Sequence, residues 1–78
     1  MCAIGNYEVV SGDVLVPANG TPVTVNAPEG KKVLSVNGAH LEVQVTINPD
    51  GSGFTAQKTP GGWNVTFVYQ MVTAEMGC

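Results

Sequence analysis

The feature that most constrains the fold is an alternation of apolar and polar residues with a period of two. It is clearest in "LEVQVTI" (41–47), where Leu41, Val43, Val45 and Ile47 fall on one face. Successive side chains of a strand point to opposite faces, so this pattern is typical of a half-buried β-strand. No segment shows a 3.6-residue apolar period behind a helix cap. The sequence therefore predicts β structure throughout.

Turn residues cut this pattern into short pieces. The predicted strands are 6–16, 21–27, 32–36, 41–47, 54–59 and 63–76. Asn19-Gly20 and Pro49 with Gly51 favour turns. Pro22 favours an edge strand or the start of a strand because proline cannot donate to a ladder. A bend or bulge is expected at Ser11-Gly12. We predict a single domain over residues 1–78, an all-β fold that forms a compact antiparallel β-sandwich, Ig-like or jelly-roll-like, of six to eight short strands.

The predicted core follows from the same alternation. It comprises Trp63, Phe67, Leu41, Val43, Val45, Val65 and Leu34. Trp63 follows two glycines, so it could instead stack on a sugar, but the stripe that continues through Val65 and Phe67 favours burial. Of the other aromatic residues, Tyr7, Phe54 and Tyr69 are the ones expected to be available outside the core.

Charge is sparse and the balance is acidic. Charged residues make up 12% of the chain, against roughly 25% in an average soluble domain. The net charge of −3 and the lack of arginine argue against a nucleic-acid partner. The surface is then either a neutral polar β surface or one that packs on other chains. The chain has no apolar run long enough to span a membrane, and its start does not resemble a secretory signal, so we expect synthesis in, and retention by, the cytosol.

The sequence offers no set of residues that catalysis would need. His40 is the only histidine, and we expect it to face solvent or bond to the backbone. The six acidic residues are well separated, and "NPDGSG" (48–53) has too few carboxylates for a calcium loop, so it is interpreted as a turn. We therefore predict no enzyme activity, no catalytic residues, no cofactor and no metal site.

Two of the three cations, Lys31 and Lys32, are adjacent. Neighbouring strand residues point to opposite faces. The pair is therefore a weak anion clamp, and we expect these residues to solubilise the turn and blunt the strand end.

The two cysteines, Cys2 and Cys78, lie near opposite ends of the chain. A sandwich often brings its ends onto neighbouring strands, which makes an internal disulfide between them one prediction. Free thiols or bonds between chains are the alternatives, since the cytosol disfavours disulfides.

The order of several segments resembles a family of small β-domain virion proteins from phages of actinobacteria, together with related bacterial surface proteins. The matching pieces are "VPANGT" (16–21), "PEGKKVL" (28–34) with Gly38, "GWNVT" (62–66) and the final Cys78. They run from about residue 11 to the end. One difference is Ala27, where the family often has a cysteine before the proline, so a cross-link from the last strand to that turn is absent.

The resemblance implies a non-enzymatic protein without a cofactor. We expect a capsid decoration protein on the outside of the virion, made in the host cytoplasm, with the major capsid protein and copies of itself as partners, and without nucleic acid or membrane. A homo-oligomer is expected. The alternatives are a tail or tail-fibre protein, and a small cell-surface or carbohydrate-binding β module.

Overall fold

The computed structural model describes residues 3–38, 40 and 42–77, with the backbone alone for Ala3, Ile4, Met76 and Gly77. Six strands follow one another in this part of the chain, and no helix interrupts them. Their bounds are β1 Ala3–Val16, β2 Val23–Asn26, β3 Lys31–Asn37, β4 Val43–Ile47, β5 Gly53–Lys58 and β6 Val65–Gly77. Each of the six predicted strands is therefore confirmed, to within a few residues at its ends.

The strands form two antiparallel three-stranded sheets. The larger sheet has the order β1-β6-β3, and the smaller sheet has the order β2-β5-β4. β1 and β6 form a long ribbon that pairs Ala3 with Gly77 at one end and Val16 with Val65 at the other. β2 lies at an edge of its sheet and begins directly after Pro22, so both alternatives predicted from this proline are confirmed. The all-β sandwich is likewise confirmed, with six strands, the lower end of the predicted range.

The core lies between the two sheets and is built around three aromatic rings. Phe54 and Tyr69 meet edge to face with ring centroids 5.0 Å apart, and Phe67 stacks on Tyr69 at 6.4 Å. Both geometries are favourable for aromatic pairs. The buried apolar residues around them are Val16, Val33, Ala56 and Met71, and partly buried side chains including Val43 and Val45 pack against this cluster. The core assignments of Phe67, Val43 and Val45 are therefore confirmed, and Val65 is half-buried.

Two residues predicted to be in the core are on the surface. Trp63 is 87% exposed because the strand begins only at Val65, and the positive φ angles of Gly61 and Gly62 break the alternation before it. Leu34 is 39% exposed because its neighbour Val33 takes the inward position and successive side chains of a strand alternate. The register shift between Val33 and Ser35 then returns Val36 to the inner face, opposite the buried Met71. Leu41 lies outside the described residues.

The expectation for two other aromatic residues was also wrong. Phe54 and Tyr69, expected to be available outside the core, are buried at its centre, whereas Tyr7 is exposed.

The bulge of β1 is also displaced from its predicted place. Glu8–Val16 pairs with β6 without a break, and the irregularity lies between Gly5 and Glu8, where Asn6 has a φ of 50°.

The outer faces of the two sheets differ in character. On the smaller sheet the outward residues are all neutral and polar: Thr24, Asn26, Gln44, Thr46, Thr55 and Gln57. On the larger sheet Val9, Leu15 and Val68 are exposed. Asp13 points to the same face as Val9 and Leu15 by the period of two, and it is paired with Val68, so the three apolar side chains share one face. The neutral polar interpretation of the surface therefore fits one sheet, and the alternative of packing on other chains remains a prediction for the other.

Candidate functional site

An exposed tryptophan marks one end of the sandwich. The β1–β2 loop (17–22), the β5–β6 loop (59–64), Glu42 and the end of β5 lie together there, and we call this the tryptophan end. Trp63 projects from the β5–β6 loop with 87% of its surface exposed. An indole of this size normally gains stability by burial, so its exposure is more typical of a binding residue than of a structural one.

Hydrogen bonds hold the loop that carries Trp63. The Gly61 N–H donates to Ala18 O at 2.8 Å, and the Ala18 N–H donates to Asn64 Oδ1, also at 2.8 Å. On the other side, the Thr59 N–H donates to Glu42 O at 3.2 Å. These bonds fix the loop on both sides of Trp63, so the indole is presented from a largely fixed backbone.

The buried side chain of Lys58 binds the same loop from the side of the core. Its side chain is inward and almost fully buried, and Nζ donates to Thr59 O at 2.9 Å and to Gly61 O. The carboxylate of Glu42 lies 3.8 Å from Nζ and supplies the opposite charge. A buried ammonium group is tolerated when its hydrogen bonds are satisfied and a counter-ion is near, as here. Lys58 therefore ties the loop carbonyls to the edge of the core.

The alternation in the sequence indicates that Lys58 is buried, although its charge suggests an exposed side chain. In "FTAQK" (54–58), Phe54, Ala56 and Lys58 share one face by the period of two, and all three are buried. A lysine in phase with two apolar residues at a strand end indicates a stem packed on the core with its ammonium group reaching a turn.

The surroundings of Trp63 are polar and largely uncharged. The exposed side chains of the two loops include Asn19, Thr21, Thr59 and Asn64. Asn19 Oδ1 accepts the Thr21 N–H at 2.9 Å, which stabilises the first loop. Such an end can bind by apolar contact and neutral hydrogen bonds. Apart from Glu42 and the buried Lys58, the described residues of this end carry no charge.

The remaining candidates have local structural roles. His40 is exposed, and its Nδ1 accepts the Glu42 N–H at 3.2 Å, as predicted for a backbone-bonded histidine. Asp50 Oδ1 accepts the Ser52 N–H at 3.0 Å within the predicted turn. Hydrogen bonds from the Ser52 side chain and backbone hold the pKa of the Asp50 carboxyl below its usual value.

The two adjacent lysines have different surroundings. Lys31 is half-buried, and its Nζ lies 3.4 Å from Glu8 Oε1 and donates to Asn6 O at 3.3 Å. Lys32 is exposed, and its side chain passes close to Gly51. The structure therefore does not bring the two ammonium groups together on a common ligand. Lys31 instead ties β3 to the bulge of β1.

Cys2 and Cys78 lie outside the described residues, so the internal disulfide stays a prediction. Their neighbours Ala3 and Gly77 are paired across β1 and β6, which supports it. We expect the intact mass of the chain, released into oxidising buffer, to be lower by two hydrogen atoms than that of the reduced chain. An unchanged mass, or a covalent dimer, would instead support the free or intermolecular thiols.

Among the described residues, no three His, Cys, Asp or Glu side chains are grouped as a metal site would require. The same part of the chain contains no helix of the length and apolar character needed to cross a membrane. When the chain is compared with protein families, curated proteins and solved structures, no family, protein or structure matches it significantly.

Proposed function

We propose that this chain is a structural protein of a phage particle, and that it acts as a decoration protein on the capsid exterior. In this proposal it is made in the host cytoplasm, docks on the major capsid protein through the tryptophan end, and has neither catalytic activity nor a cofactor. The observation that carries the docking role is the exposure of Trp63 on a hydrogen-bonded loop. The assignment to a phage particle rests on the sequence resemblance.

The physical case for docking starts from the cost of binding. Forming an interface loses conformational freedom, and a loop already fixed before binding loses less. Here the bonds from Gly61 to Ala18 and from Lys58 to Thr59 fix the loop in advance. Tryptophan is also among the residues that contribute most at protein interfaces when they are buried in a partner pocket. Trp63 therefore has the properties of an anchor residue.

The composition of the tryptophan end favours an apolar contact over an ionic one. Its one exposed charge among the described residues is Glu42, which is partly matched by Lys58. Salt at about 1 M shortens the Debye length to about 3 Å and screens exposed ion pairs. We therefore expect the bound protein to stay on its particle in a high-salt wash.

The docking role is tested by substituting Trp63. We expect Trp63→Ala to weaken rebinding to particles stripped of the protein by about 2 kcal/mol, roughly thirtyfold in Kd, because the anchor is lost. Tyr7→Ala is the matched control, since Tyr7 is also an exposed aromatic residue but lies far along β1 from this end. Equal binding by wild type and Trp63→Ala would refute docking through the tryptophan end.

The place on the particle is tested by counting copies. Quantitative mass spectrometry of purified particles should find the chain in a fixed, high ratio to the major capsid protein. A few copies per particle would replace the decoration proposal with the tail or tail-fibre alternative. Particles without the chain would refute both.

A second candidate is a carbohydrate-binding module, and the exposure of Trp63 beside Asn19, Thr59 and Asn64 favours it. Indole rings stack on sugars, and amide and hydroxyl groups can bond to sugar hydroxyls. Trp63 is the single tryptophan, so its fluorescence reports on this end alone. A shift of that fluorescence with purified host cell-wall polysaccharide would support this candidate, and an unchanged spectrum would oppose it.

A further inference from the structure

Of the four edge strands in the described part of the chain, three are protected against pairing with another chain. β2 has four residues and lies between Pro22 and Pro28, and β4 has five residues and is followed closely by Pro49. β3 is interrupted by its bulge, and the Val33 N–H is taken by Gly51 O of the β4–β5 loop at 2.8 Å. Short strands, prolines, bulges and covering loops are the usual means of preventing edge-to-edge association.

The free edge of β1 lacks these protections from Glu8 to Val16. This stretch pairs with β6 in unbroken register and contains neither proline nor lysine. Among the described strands, β6 is its one partner in the sheet. In an antiparallel pair, alternate residues direct their N–H and C=O groups away from the partner strand. β1 therefore presents a regular row of backbone groups on which another strand can pair.

We propose that β1 pairs antiparallel with β1 of a second copy of this chain, about a two-fold axis at Gly12. In that register Ser11 faces Asp13 of the partner subunit, Val10 faces Val14 of the partner subunit, and Val9 faces Leu15 of the partner subunit. The two β1-β6-β3 sheets become one continuous six-stranded sheet. The interface is isologous, so each contact away from the axis occurs twice.

The register follows from the side chains that the edge carries. Val9 and Leu15 are more than half exposed on the outer face of the larger sheet. With the two-fold axis at Gly12, Val9 of one copy lies opposite Leu15 of the partner subunit. This pair occurs on both sides of the axis, so apolar side chains meet at both ends of the pairing. Between them the Ser11 hydroxyl can donate to the Asp13 carboxylate across the axis. Cross-strand pairs of this kind are what stabilises neighbouring strands.

Neighbouring positions of the axis match less well. An axis at Ser11 would set the Asp13 carboxylate opposite Val9 of the partner subunit. An axis at Asp13 would set two carboxylates directly opposite each other, and like charges in that position are destabilising. The axis at Gly12 leaves no such conflict on the outer face. This inference does not depend on the proposed function.

The test changes the two polar residues beside the axis, Ser11 and Asp13. One variant adds a second carboxylate, and the other exchanges the two residues. Ser11→Asp places a carboxylate opposite Asp13 of the partner subunit twice in each dimer, and we expect the dimer Kd, measured by sedimentation equilibrium in reducing buffer, to rise about tenfold or more. The double variant with Ser11→Asp and Asp13→Ser restores one carboxylate and one hydroxyl to each contact, and we expect it to recover the wild-type Kd. Both residues are exposed in the single chain, so the circular dichroism spectrum should not change.

Two results would overturn the inference. One is a wild-type chain that remains monomeric up to millimolar concentration. The other is a dimer whose Kd does not respond to Ser11→Asp, or one that the double variant does not restore, because the interface would then lie elsewhere.

Discussion

Replacement of Phe54 by alanine is expected to lower the free energy of unfolding by about 3–5 kcal/mol. Phe54 is fully buried and contacts the Tyr69 ring edge to face, so the substitution removes both apolar burial and an aromatic pair. A chain of 78 residues has only roughly 4–12 kcal/mol of stability at the usual per-residue values. The substitution should therefore remove a large share of the stability, and a chain at the lower end of that range would unfold at ambient temperature.

The measurement is urea denaturation followed by circular dichroism, with Trp63→Ala as the matched control. Trp63 is also a large aromatic residue, but it is exposed, so its loss should change the free energy of unfolding by no more than about 0.5 kcal/mol. If the two substitutions cost the same, the placement of Phe54 in the core and Trp63 on the surface would be contradicted.

Replacement of Lys58 by alanine is expected to lower the free energy of unfolding by about 2–4 kcal/mol. The substitution removes a buried aliphatic stem and leaves the carbonyls of Thr59 and Gly61 without their donor. Lys58→Met keeps most of the stem and removes only the ammonium group, so it should cost less. Denaturation of both variants separates the contribution of packing from that of hydrogen bonding.

The same variants test whether Lys58 orders the loop. Limited proteolysis should cut residues 59–64 faster in Lys58→Met than in the wild type, even where the global stability of the two is similar. An unchanged cleavage rate would show that the bonds to Ala18 and Glu42 hold the loop without the lysine.

The strands could be predicted from the sequence because alternation is a local property. Each strand has one face toward the other sheet, so polarity at positions i and i+2 is enough to locate it. The alternation assigns side chains to the wrong face where the backbone departs from a regular strand. The bulge in β3 lets Val33 and Val36 both face inward, which leaves Leu34 between them on the outer face. Trp63 precedes the first residue of β6 and follows two glycines with positive φ.

The tryptophan end could not be predicted in the same way because distant segments form it. Ala18 and Asn64 are 46 positions apart in sequence and are joined by one hydrogen bond. The interior role of Lys58 was hidden for a different reason. Its place in the alternation indicated burial while its charge indicated exposure, and only the nearby loop carbonyls decide between the two.

The central position of β6 has a consequence for how the chain folds. Both β1 and β3 bond to β6 within the larger sheet, and Val16 is paired with Val65. During synthesis, neither strand can find its sheet partner until β6 has left the ribosome. Until then β1 and β3 are unpaired, and their apolar side chains are in contact with water. Proteins dominated by such distant pairings fold in roughly milliseconds to seconds, and the delay favours encounters between nascent copies.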